Sequence, residues 1–152
     1  MILDLQEVNS MTVSKRNILF AVNVIVPLIC GLFIYLTKEE NTFISSSLSG
    51  IRSVLPVIRY PVLIHDFAAD FLWTYSLLFC LRLALGDELK GRHNITVILV
   101  TSGAAVLIEL LQLIDGFPGT FDIFDIVAEL IAVAAGLFIM FLIERKVDQR
   151  AA

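Results

Sequence analysis

Apolar residues run along this chain in four long stretches, at residues 17–36, about 68–86, about 94–114 and about 123–143, parted by short polar connections. Each has the length of about 20 residues that a helix needs to cross a bilayer. The first follows Lys15 and Arg16, as a signal-peptide core would. It is too long for that, and no small-x-small cleavage site follows it, so a retained helix is expected. Pro27 is expected to kink it, and Asn23 to make a helix–helix contact. Residues 37–64 follow another pattern. Ser45, Ser46, Ser47, Ser49 and Gly50 mingle with an apolar stripe of Leu48, Ile51, Leu55 and Ile58 at helical spacing, and Pro56 and Pro61 break the run. It is too short and interrupted to span, and is predicted to lie on the membrane surface. The pattern predicts an all-α integral membrane protein. Its single domain, residues 17–146, is a four-transmembrane-helix bundle with an interfacial amphipathic segment between helices 1 and 2. A segment at 1–16 precedes it and a tail at 147–152 follows.

Composition agrees. Of 152 residues, 58% are hydrophobic and 17% charged, against about half and about a quarter in a soluble domain. No basic run or arginine–aromatic platform points to nucleic acid. Cys30 and Cys80 sit within apolar stretches at opposite depths, so neither a disulfide nor a cysteine metal site is expected.

The charge pattern sets an orientation. Lys15, Arg16, Arg82, Lys90, Arg92, Arg145, Lys146 and Arg150 fall on one side of the four spans, and only Lys38, Arg52 and Arg59 on the other. The excess of Lys and Arg marks the cytoplasmic side, which places both termini in the cytoplasm. The start of span two, the end of span three and the start of span four then share the outer face.

The intramembrane acids collect at those three places. Asp66 and Asp70 are four apart. Glu109 and Gln112 are three apart. Asp122, Asp125 and Glu129 step by three and four. Each set lies on one helix face, and His65 adjoins the first. Asp66 and Asp122 also suit helix N-termini as caps, and Gln112 suits a helix–helix hydrogen bond. Glu109 and Glu129 lie too deep for capping. Several converging carboxylates cannot all ionise without a positive partner. The candidates are a divalent cation held by Glu109, Asp122, Asp125 and Glu129, a cationic ligand group, or a nearby arginine. Arg52, Arg59 and His65 are the candidates to meet a lipid head group.

The same residues carry a family resemblance. Glu109-Leu-Leu-Gln112, a short turn, and Gly119-Thr-Phe-Asp122-Ile-Phe-Asp125 resemble the VanZ-like membrane protein family, whose pattern is an E-x-x-Q pair, a turn and a D-x-x-D start to the last helix. Asp70-Phe71-Leu-Trp73-Thr-Tyr75 is similar to that family's aromatic second span. The chain carries Glu129 where the family has Asn, Ala132 where it has Gly, and Asp70 where a His is often seen, which makes it a more acidic branch. The resemblance implies a bacterial cell-membrane protein and a link to teicoplanin-type glycopeptide resistance, and it supplies no established reaction.

Three functions fit these expectations. The acidic cluster binds a divalent cation, or the cationic group of an antibiotic or a lipid-linked cell-wall intermediate. Alternatively, the chain is a small intramembrane enzyme acting on a lipid head group, with Glu109 and Asp125 as acid and base. Otherwise it moves protons or cations, although nothing comparable continues to the inner side.

Overall fold

The structure is a computed structural model that describes residues 2–40, 42–86 and 92–151. The expected polar connection with Asp87, Glu88 and Lys90 lies outside the described residues, as do the side chains of Arg92, His93 and Arg150. Among the described residues six helices follow in order: α1 (Ile2–Thr37), α2 (Phe43–Ser47), α3 (Ser49–Arg52), α4 (Val62–Leu85), α5 (Arg92–Leu111) and α6 (Ile123–Ala151). Four segments are long and apolar enough to cross a membrane, at Ser14–Thr37, Val62–Leu85, Asn94–Leu111 and Ile123–Val147. The chain is an all-helical, multi-pass membrane protein.

The second span begins at Val62, about six residues before its expected start. The sequence pattern makes Pro61 a break inside a surface segment. It sits instead at the N-cap of α4, with φ −56° and ψ 148°, where its missing N–H costs no helical bond. This draws His65 and Asp66 into the helix. The third span ends near Leu111, so Gln112 belongs to the closing turn, and α6 continues beyond 143.

Residues 38–61 fold back on the end of α1. Thr42 and Ser45 form a reciprocal capping box that starts α2. Ile58 N–H donates to Thr37 O at 2.7 Å, and Lys38 pairs with Ile58 as an isolated bridge. The segment is two short helices and an extended return.

Helix α4 is central and packs against α1, α5 and α6, with its largest contact to α1. Phe20, Leu78, Phe79, Val97, Val133 and Met140 form the buried cluster. In lipid the hydrophobic effect does not drive helices together, so close approach and polar contacts do. Both are present. Gly31 of α1 lies so near α4 that a Cβ there would meet Trp73 at 2.5 Å, and a Cβ on Gly136 of α6 would meet Leu78 at the same distance. Tyr75 donates to Asn23 Oδ1 at 2.6 Å, the helix–helix contact expected of Asn23. At the basic end, Arg82 donates to Glu144 at 3.1 Å and to Gly86 O at 2.6 Å. Helix α1 runs unbroken through Pro27. Cys30 and Cys80 are free and face outward.

Candidate functional site

The end of α1, the start of α4, the end of α5 and the start of α6 meet at one end of the bundle. The side chains there are distributed by which donors each helix can offer. On α4, Asp70 accepts from the Tyr35 hydroxyl of α1 at 2.7 Å. Tyr35 in turn packs edge-on against Trp73, and the Lys38 ammonium lies 5.1 Å above its ring. On α5, Glu109 is 3% exposed. Its Oε1 accepts from Gln112 Nε2 at 3.0 Å and its Oε2 from the Asp122 N–H at 3.3 Å. Gln112 needs Gly119 opposite it: a Cβ at that residue, where φ is +114°, would fall 2.7–3.0 Å from the Gln112 side chain. The E-x-x-Q pair is thus the clasp of the α5–α6 turn.

On α6, Asp122 accepts from the Phe124 N–H at 2.8 Å, the capping role open to it from its place just before Ile123. Glu129, 6% exposed, accepts from Thr74 Oγ1 at 3.2 Å through Oε1, and its buried Oε2 has no donor. Asp125 lies one turn before Glu129. Asp66, Asp70, Glu109 and Asp122 all stand within electrostatic range of Asp125, yet its carboxylate accepts no hydrogen bond among the described residues. Asp66 pairs with His65 at the rim.

Two features of the arrangement bear on the residues expected to meet a cation or a head group. Among the described residues, no group of three or more His, Cys, Asp or Glu side chains stands close enough to hold a metal ion. Glu109, Asp122, Asp125 and Glu129 do not gather into such a group. Glu109 turns to Gln112 and the Asp122 N–H, Asp122 to the Phe124 N–H of α6, and Glu129 toward Thr74. The two arginines also have other partners. Arg52 donates to the carbonyls of Lys38, Glu39 and Glu40 at 3.1–3.2 Å, satisfying groups just past the end of α1 as basic side chains often do. Arg59 pairs with Glu39 at 2.6 Å. That hydrogen bond, then the Glu39 charge, raises the Arg59 pKa above its ordinary value. The pair is open to water and adds little stability.

Three members of the site escaped the residue pattern. Tyr35 and Thr74 supply donors to Asp70 and Glu129, and Lys38 supplies the nearest positive charge. No family model, curated protein or solved structure matches the chain.

Proposed function

We propose that the chain is a VanZ-like multi-pass protein of the bacterial cell membrane, of the kind linked to teicoplanin-type glycopeptide resistance, and that its acidic end binds a cationic group of the envelope. The likeness rests on Glu109, Gln112, Asp122 and Asp125 in their spacing around the turn. The charge bias of the connections turns the acidic end outward, and the segment from α2 to Pro61 lies at the membrane surface on that side.

One observation carries the binding role. Asp66, Asp70, Glu109 and Asp122 each have a donor, whereas Asp125 has none and Glu129 keeps Oε2 bare. Both carboxylate oxygens of Asp125 are left open and, one turn further along α6, Glu129 Oε2 is buried without a donor, in a setting where an unsatisfied polar atom costs about 1–3 kcal/mol and a charged one more. An ammonium group carries three N–H donors and a positive charge. It matches this vacancy better than a small hard cation, which demands several converging oxygens.

The test is thermal unfolding of the detergent-purified full chain, titrated with ethanolamine, tetramethylammonium, magnesium and calcium. A ligand at one hundred times its Kd stabilises by about 2.7 kcal/mol, or roughly 5–10 °C in a chain of this size. Ethanolamine is expected to give such a rise in the wild type and none in Asp125→Asn. A rise of equal size with tetramethylammonium, which has no N–H, or no rise with any cation, refutes the proposal.

A further inference from the structure

We infer that the cationic group belongs to a membrane lipid with a primary ammonium head group, one of whose hydrocarbon chains lies in the apolar groove between α4 and α6. The inference rests on the binding role proposed above and names the source of the cation. The groove has a volume of about 390 Å³, within the range of small-molecule sites. Leu63, Phe67 and Phe71 form one wall at i, i+4 and i+8 of α4, and Phe124, Ala128 and Ile131 form the other. Ala68 and Ala128 leave its width open. Its walls are hydrocarbon throughout, in a chain whose surroundings at this depth are acyl chains.

The register of the two helices joins this groove to the acids. Asp66 and Asp70 each precede a wall residue of α4 by one position. Asp125 and Glu129 each follow a wall residue of α6 by one position. One step along a helix is a rotation of about 100°, so on both helices the carboxylate stripe borders the apolar stripe over the same turns. A chain seated in the groove brings its polar end to Asp125.

Charge selects the head group. Glu39, Glu40, Asp66, Asp70, Glu109, Asp115, Asp122, Asp125 and Glu129 gather at this end against Lys38, Arg52 and Arg59. Two of those bases are already paired with the backbone or with Glu39. An anionic phosphoglycerol head is repelled. A phosphocholine head has the charge but no N–H for the open oxygens of Asp125, one turn before Glu129, which is 6% exposed and keeps Oε2 buried without a donor. A primary ammonium supplies both.

Native mass spectrometry of the full chain tests this. The chain, in mild detergent, is mixed with equal amounts of phosphatidylethanolamine, phosphatidylcholine and phosphatidylglycerol of identical acyl chains. One retained phosphatidylethanolamine is expected, at least tenfold over each competitor. Ala128→Leu fills the groove and is expected to lose all three lipids. Phe124→Ala removes a wall at an outward-facing position and is expected to weaken all three severalfold, without depending on how the core accepts a larger residue. Asp125→Asn is expected to keep one lipid and lose the preference. Equal retention of the three lipids by the wild type overturns the inference. So does ethanolamine-lipid retention that neither groove variant changes. Free ethanolamine separates the two proposals: if it still stabilises the wild type while no lipid preference exists, the acidic site stands and its lipid source falls. If it does not stabilise the wild type, the acidic site itself falls.

Discussion

Replacing Gly119 by alanine tests whether Glu109 and Gln112 act as one unit with the turn. Gly116 and Gly119 both hold positive φ, +90° and +114°, but only Gly119 faces a neighbour. A side chain held in a sparsely populated backbone region costs about 1–3 kcal/mol, and that strain applies to both glycines. At Gly116 nothing lies within 4 Å of the added carbon, so strain is the whole effect. At Gly119 the added carbon displaces Gln112, which donates to Glu109 Oε1 at 3.0 Å. A hydrogen bond to a charged group contributes about 1.5–3 kcal/mol. Gly119→Ala is therefore expected to cost about 2–6 kcal/mol in all, against about 1–3 for Gly116→Ala. At roughly 2–4 °C per kcal/mol, the two variants should differ in Tm by several degrees in detergent. A double-mutant cycle isolates the cause. With Gln112→Ala already in place the extra loss has nothing left to remove, and the coupling energy falls in the usual range of about 0.5–3 kcal/mol for contacting residues. Equal Tm losses for the two glycine variants, or a coupling of zero, would show that Gln112 is a bystander to the turn.

Two further outcomes follow from the packing. Gly31→Ala is expected to be less stable than Gly103→Ala by about 1–3 kcal/mol, the usual cost of overpacking, because Trp73 stands 2.5 Å from the added carbon while Gly103 has open space; equal Tm values in a thermal unfolding series would refute close α1–α4 approach at this point. Tyr35→Phe removes the donor to Asp70 and is expected to lower stability by about 1.5–3 kcal/mol, an effect that should vanish when Asp70 is already Ala and no acceptor remains; a loss that persists in that background would assign Tyr35 to packing alone.

The four spans were legible because length and apolarity suffice to mark a helix in lipid. The start of α4 was not, because a proline reads the same whether it interrupts a segment or opens a helix, and Pro61 opens one. The acids were legible as a cluster, since spacings of three and four put them on single faces. Their partners were not. Tyr35 and Thr74 look like ordinary residues of apolar spans, and only the rotation of α1 against α4, and of α4 against α6, brings them to Asp70 and Glu129. The directions the acids' oxygens take were not legible for the same reason. Spacing says which face a carboxylate shares, and the donors that meet that face decide where its oxygens turn. Arg52 makes the same point: the sequence offers it as a head-group contact, and only the fold shows that carbonyls just past the end of α1 accept from it.

The packing of α4 against α1 also bears on how the protein comes to exist. The pair with the largest contact is made before α5 and α6, and at about 5–20 residues per second those two helices are completed only seconds after α4. Docking of α4 onto α1 gives Asp70 its Tyr35 donor early. Glu109 then arrives with Gln112 on its own helix, and Asp122 with the N–H of Phe124 two residues on. Each acid thus enters the bilayer beside, or just after, the group that satisfies it. Asp125 comes after all of these, and no donor among the described residues has been made to receive it.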